Sequence, residues 1–367
     1  DAYADQVKIT FNKDEIIISD NGKGMSKADL EKKWFAVAYS AKKEGTEDDD
    51  IKRYSHLNNL KSRRFYAGAK GVGRFSCDRL GSKLELTTTR ADDNLALKID
   101  VDWSEFEKNS QQSFDSIEIP FEEVIKEKKF PKNSNHGTSI RIQKLNSSWN
   151  IIKLRELRRS LEKLINPFSQ ESSFTIEIEA KEFLEADNKS GNNLKINGII
   201  DNSILKVLDL KTTQIDFKLK GNLVTTKIID RGTLIYHIEE PNKYESTIDD
   251  LEINLYFLNR SAKINFGKLM DIEPVNYGNV FLFKNGFRVQ PYGNVGDDSW
   301  NLDSRKQQGY NRNLGTRDLF GKVDLISENF NEFKEVSSRD GGLVETLGKR
   351  LLFDIFSEKA FKRLERY

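Results

Sequence analysis

An α+β fold is predicted from three observations. Strand-like and helix-like patterns alternate through the first half of the chain, strand patterns dominate residues 196–290, and the last 25 residues carry apolar side chains at spacings of three or four. These patterns divide the 367 residues into a mixed domain (1–185), a strand-rich domain (190–342) and a terminal amphipathic helix (343–367).

The elements follow in order. DAYADQ is the tail of a helix; Val7, Ile9 and Phe11 then alternate with polar residues, and Ile16 to Ile18 form a second strand. From Ser26 the period becomes helical, with Ser26 as N-cap, Asp29 closing a capping box, and Leu30, Trp34 and Val37 or Ala38 on one face. Residues 44–64 pass from acidic to basic with no strong period, which is read either as a lid or as a solvated charged segment. RRFYAGAKGVGRFSCDRLG is a glycine-rich loop opening a short helix, and strands are expected at SKLELTTTR, 96–101, 116–119 and 138–142. Ile152, Leu154, Leu157, Leu161, Leu164 and Ile165 share one face of a helix over 151–166 that Pro167 ends. SSFTIEIEA is a strand. The polar stretch ADNKSGNNLK (186–195) is the expected domain boundary. Beyond it come the strands VLDLK, DFKLKG, LIYHIEE, LEINLYFL and VFLFKNGFRV, then the helical spacing of Leu343, Leu347, Leu351, Ile355 and Phe356.

Composition excludes several classes. Fifty-nine Lys and Arg against 58 Asp and Glu leave a charge of +1, which neither indicates nor excludes a nucleic-acid partner, since local basic patches are compatible with it. Cys77 is the single cysteine, so no intramolecular disulfide forms, and three histidines without a CxxC offer no zinc site. No apolar run approaches the roughly 20 residues that span a bilayer, and the first residues lack the pattern of a signal peptide. A cytoplasmic setting is the expectation.

Three stretches carry chemistry. Asp20-Asn21-Gly22-Lys23-Gly24-Met25 is either a tight turn or a carboxylate held at a strand end for a ligand. In Gly68-Ala69-Lys70-Gly71-Val72-Gly73-Arg74-Phe75, three glycines before a helix let backbone N–H groups face one anion, so phosphate is the natural guest. This stretch matches neither a Walker A loop nor a dinucleotide fingerprint, and no kinase HRD or DFG segment follows. Gly137-Thr138 opens a strand, placing a hydroxyl that can bridge to a carboxylate or a base edge.

In this order, from helix tail and strand through the two glycine stretches to Gly-Thr on a strand, the chain resembles the ATP-binding domain of the GHKL superfamily, the gyrase, Hsp90, histidine kinase and MutL group, over roughly residues 1–180. The resemblance implies a Bergerat-type α/β sandwich that binds ATP and Mg²⁺. It assigns Asp20 to the adenine amine, with Gly22, Gly24 and Met25 beside the base. Gly68, Gly71, Val72, Gly73, Arg74 and Phe75 are assigned to the phosphates, and Thr138 to the adenine. Asp1-Ala2 resembles the end of the family's first motif, so the general-base glutamate and the Mg²⁺-binding asparagine are expected upstream of Asp1, and Glu15 is read as a surface residue. WFAVAYSAKK resembles the following segment of Hsp90-like and MORC-like members, which puts Ser40, Lys42 and Lys43 near the nucleotide.

The second half resembles the S5-like transducer domain of such ATPases, above all in the Asn285-Gly286 hairpin of VFLFKNGFRVQPYG. There a basic residue from a loop after a strand senses the γ-phosphate. Arg339 is the first candidate and Lys334 the second; an arginine capping a surface loop is the competing reading. The function implied is an ATP-gated switch that closes, pairs two chains through their N-terminal domains and acts on a macromolecular client in a defence or DNA-repair-like setting. A non-hydrolysing ATP-binding module in a larger complex is the alternative. A histidine kinase would need a phosphoacceptor helix that His56, His136 and His237 do not provide.

Overall fold

A computed structural model of the chain describes residues 3–34, 73–104, 121–126, 130–165, 174–191, 194–200, 212–244, 248–309, 313–327, 329, 331–336 and 341–367. Two compact units result: Asp1–Glu162 with Gln170–Asp201, and Lys163–Ser169 with Asn202–Tyr367. Both are mixed α+β.

The first unit is built on an eight-stranded sheet. Its strands are β1 (Gln6–Asn12), β2 (Glu15–Asp20), β3 (Gly81–Thr89), β4 (Leu95–Asp102), β5 (Phe121–Ile125), β6 (Gly137–Leu145), β7 (Thr175–Glu179) and β8 (Gly198–Ile199). They lie in the order β5-β4-β3-β6-β2-β1-β7-β8, antiparallel except for the parallel pair β1–β7. Because side chains alternate along a strand, Leu84 and Leu86 of β3 meet Leu97, Ile99 and Val101 of β4 on one face. Leu30 joins this core from the helical turn that Ser26 and Asp29 cap as a capping box. Next to it in register, Ile18 of β2 stands opposite Ile140 of β6, and Ile140 opposite Leu86. Two residues further along, the same face carries a polar row: Asp20 opposite Thr138, and Thr138 opposite Thr88.

Helix α1 (Ile151–Glu162) belongs to this unit. It is shorter than the 151–166 expected, and its buried stripe is narrower. Leu154 is fully buried, but Ile152 is 63% exposed, and Leu164 and Ile165 lie beyond the helix. Much of the anchoring is done by polar atoms. Arg155 donates to the Leu194 carbonyl (2.9 Å) and Ser190 Oγ (3.1 Å), and Arg158 to the carbonyls of Ile196 (3.0 Å) and Ile199 (2.8 Å). The polar stretch after residue 186 is thereby tied into the first unit, and the division between units falls after Asp201.

The second unit holds a seven-stranded sheet in the order β11-β10-β9-β12-β15-β13-β14. The strands are β9 (Thr213–Lys220), β10 (Leu223–Asp230), β11 (Thr233–Pro241), β12 (Asp250–Phe257), β13 (Val280–Lys284), β14 (Phe287–Val289) and β15 (Leu319–Ile326). Only β13–β15 is parallel. One face buries Ile215, Phe217, Ile253, Leu255, Val323 and Leu325 against the C-terminal helical segment. Part of the other face packs Tyr256, Phe281, Phe283 and Phe320 against Phe266 of α2 (Arg260–Met270). Helix α3 (Leu302–Gln308) precedes β15. The terminal segment starts as α4 (Leu347–Ile355), widens to a π-helix over Phe356–Phe361 and closes with Lys362–Arg366. Leu352, Ile355, Phe356, Ala360, Phe361 and Leu364 carry the burial, while Leu347 at the helix start is 71% exposed.

The strands expected at 116–119 and at VLDLK lie outside the described residues. β5, a residue beyond the first of these, is an edge strand that alternation in the sequence does not reveal.

Candidate functional site

Asp20 ends β2 on the inward parity of Ile16 and Ile18, so its carboxylate enters the sheet's inner face beside the core. There Gly22 N–H donates to Asp20 Oδ1 at 2.8 Å, and the Thr138 N–H also bonds the carboxylate. Burial pushes the Asp20 carboxyl above the ordinary aspartate range, against the opposing pull of these two N–H groups and of nearby His136. An ionised carboxylate offers about four lone-pair positions, so two bonded N–H groups leave acceptor capacity for a ligand N–H.

Two hydroxyls adjoin it. Thr88 is wholly buried; its Oγ1 accepts from the Met25 N–H (2.9 Å) and lies 3.2 Å from the Gly137 carbonyl and 3.0 Å from Thr138 Oγ1. A threonine hydroxyl has one proton, so Thr88 satisfies either Gly137 or Thr138, and the proton of Thr138 points to Thr88 or to a ligand accordingly. The pair is a ready donor or acceptor beside the carboxylate.

Two glycines are demanded by the backbone. Gly24 has φ of 69°, and a Cβ there would lie 2.0 Å from the Thr89 carbonyl oxygen; at Gly137 (φ 144°) it would lie 2.1 Å from that of Asp20. Both close approaches bring neighbouring backbone against the turn, so these glycines serve packing whatever the site binds. Asn21 is also occupied: its Oδ1 accepts from the N–H groups of Asp5 and Gln6 (both 3.1 Å), and its Nδ2 donates to Asp5 Oδ1 (2.6 Å).

Of the other expected residues, Met25 sits beside the Leu30 core and gives its N–H to Thr88. Gly73 opens a 3₁₀ helix, Gly73–Arg79, which contains Arg74 and Phe75. Asp1, Ala2, Ser40, Lys42, Lys43, Gly68, Gly71, Val72 and Arg339 lie outside the described residues. Glu15, read as a surface residue, is instead half-buried and pairs with Arg141 (Oε2 to Nε, 2.7 Å), which holds its carboxyl below the usual range. Thr88 is not singled out by the sequence, and His136 only as a histidine without a phosphoacceptor helix. A run of three threonines in β3 and the histidine just before Gly137-Thr138 are the only signals either offers.

The profile of the histidine kinase-, DNA gyrase B-, and HSP90-like ATPase family matches residues 1–138. Over this part the chain is similar to GHKL-type ATPase domains. The match takes in β2, the DNGKGM turn, the glycine stretch and Gly137-Thr138, and it supports ATP binding. Among solved structures, the Aquifex aeolicus MutL ATPase domain complexed with ADP is similar at a TM-score of 0.35 and 11% identity, covering 88% of this chain and 85% of that chain. No curated protein matches.

The second unit lies beyond the family match, and Lys334 is placed there on a braced ledge. Phe333 beside it is fully buried, while Lys334 itself is exposed. Lys284 Nζ donates to the Phe333 carbonyl (2.9 Å) and pairs with Glu335 Oε1 (3.0 Å). Asn285, at the hairpin turn, exchanges two 3.0 Å hydrogen bonds with the backbone of Ser327. Bonds from Val344 N–H to Lys334 O and from Val336 N–H to Gly342 O, both 2.8 Å, join the two arms that flank residues 337–341.

Proposed function

We propose that the protein is an ATP-binding and ATP-hydrolysing conformational switch. The observation that carries this is Asp20, a half-buried carboxylate with acceptor capacity left, in register with Thr138 and Thr88 inside the segment that matches the ATPase family. Asp20 accepts the exocyclic amine of adenine, and the hydroxyls of Thr138 and Thr88 complete the polar edge, directly or through water. The residues fit such a base: the carboxylate is held by N–H groups at one side, and the pair of hydroxyls supplies either a donor or an acceptor. Gly68, Gly71, Val72, Gly73, Arg74 and Phe75 hold the phosphates, with Ser40, Lys42 and Lys43 adding charge and hydroxyl contacts.

Among the described residues no group of three acidic, histidine or cysteine side chains could hold a metal. Mg²⁺ would be held by the nucleotide phosphates and the asparagine of the family's first motif. When bound, it neutralises the phosphate charge that develops on transfer to water. Hydrolysis depends on the glutamate of that motif; without it the protein is a non-hydrolysing ATP-binding module. Arg339, or Lys334, senses the γ-phosphate, and ATP drives closure and pairing of two chains around a macromolecular client.

Titration calorimetry with ATP tests the base assignment. Asp20→Asn cannot offer the same charged acceptor, and loss of a charged hydrogen bond costs about 1.5–3 kcal/mol, or roughly 10- to 150-fold in Kd. Unchanged ATP affinity in folded Asp20→Asn protein overturns the assignment.

A further inference from the structure

The turn that presents Asp20 is held from outside by a side chain distant in sequence. His136 Nδ1 lies 2.6 Å from the carbonyl oxygen of Gly22, across 114 positions. A carbonyl has no proton to give, so Nδ1 carries the hydrogen and donates it. Gly22 is also the residue whose N–H bonds Asp20 Oδ1 at 2.8 Å. Fixing the Gly22 carbonyl limits rotation of the glycine, which has no side chain of its own to anchor it, and so aims its N–H at the carboxylate.

The loop bearing His136 is itself braced. Ser134 Oγ donates to the His136 carbonyl (2.8 Å) and accepts from the His136 N–H (3.2 Å), while Phe130 N–H bonds Ser134 O (3.0 Å). Lys132 on the same loop pairs with Asp5 Oδ2 at 3.0 Å, and Asp5 receives Asn21 of the turn. The Asp20-Asn21-Gly22 turn is thus held at both of its later residues by one loop, through Asp5 at Asn21 and through His136 at Gly22.

We propose that His136 is a positioning residue for base recognition: its Nδ1–H bond to the Gly22 carbonyl sets the Asp20 carboxylate in the orientation that selects a purine bearing an exocyclic amine. The inference rests on the adenine assignment of Asp20. It requires no contact between His136 and the nucleotide, so its removal costs discrimination at the base and spares the contribution of sugar and phosphates.

The test compares, on the full chain, the affinity for ATP with that for purine riboside triphosphate, which lacks the 6-amino group. Wild type is expected to prefer ATP by about tenfold or more, the worth of one charged hydrogen bond. His136→Ala and His136→Gln should bring the ratio to near one while leaving the Kd for the deamino analogue within about twofold, since the analogue never used the amine contact. His136→Asn places its amide nitrogen where Nδ1 stood and should retain most of the preference; the glutamine amide reaches the Nε2 position and should not. An undiminished ratio in His136→Ala, an equal loss of affinity for both nucleotides, or the same ratio in His136→Asn and His136→Gln each overturns the proposal. The Asn/Gln pair decides the matter if the alanine variant does not fold. A wild type without preference for ATP, joined to a silent Asp20→Asn, removes the adenine assignment and the role of His136 with it. A clear wild-type preference that survives every His136 variant removes the role of His136 alone.

Discussion

At Asp20 the demands of binding and of folding point in opposite directions. The carboxyl titrates above its ordinary range because it is buried, so the native state holds a proton that the unfolded chain has released in the interval between the two values. Stability therefore falls as pH rises through that interval and stays at the lower level above it. Asp20→Asn is expected to abolish this dependence, with stability from urea melts varying less with pH across the acidic range, while ATP binding weakens; an unchanged pH profile would contradict the burial argument. At Gly24 the expectation is reversed. A methyl group there meets the Thr89 carbonyl oxygen at 2.0 Å on a backbone of positive φ, so Gly24→Ala should cost about 1–3 kcal/mol of stability. Thermal and urea unfolding without nucleotide check this, because the clash exists in the empty protein. The residues around Asp20 left open whether it sits in a plain turn or faces a ligand, and the resemblance chose the second; its inward parity is set by the register of β2 against β6. The roles of Thr88 and His136 were not legible, since what makes them matter is the register between β3 and β6 and a hydrogen bond to a turn far away in sequence.

Among the elements, α1 and the segment after it depart most from what periodicity implies. The stretch at 186–195 has a linker's composition, yet Asp187 is buried and its carboxylate accepts from the N–H groups of Ile196 and Asn197 (both 2.8 Å) and from Asn197 Nδ2 (2.7 Å). Burial opposes its ionisation, but these bonds and the nearby Arg155 prevail and hold the carboxyl below the usual range. Asp187→Ala leaves those N–H groups without their acceptor and should cost about 2 kcal/mol at neutral pH. A lowered native pKa gives stability that is complete above the ordinary carboxylate value and is lost as pH falls through the lowered one. The difference between wild type and Asp187→Ala should therefore shrink in acid. Hydrogen exchange at Ile196 and Asn197 reads the same loss locally, and unchanged protection there would contradict the role given to Asp187. Composition misleads here because polar residues mark a loop only when water satisfies them; in this segment Asp187, Arg155 and Arg158 do so.

For the molecule as a whole, the proposed switch predicts unequal effects on two nucleotides. ADP lacks the γ-phosphate, and a ligand shifts an equilibrium only by its unequal affinity for the two states. Arg339→Ala should leave ADP affinity nearly intact and lower ATP turnover by up to about a thousandfold, the scale of an arginine that stabilises transferring phosphate. Lys334→Ala is the matched comparison: if turnover falls with the lysine variant alone, the sensor is Lys334, and if neither variant matters, the transducer reading of this loop is wrong. The sequence by itself determined the α+β class, most of the strands around the site and the resemblance to the ATPase family, because these rest on period, turn chemistry and motif order within short windows. Only the tertiary structure decided the sheet order, the row from Asp20 through Thr138 to Thr88, the reach of His136 to Gly22 and the exposure of Leu347 at the start of the terminal helix. The physical reason is that register and long-range hydrogen bonds are set by which segments meet, and a local pattern states which face of a strand is apolar without stating what lies opposite.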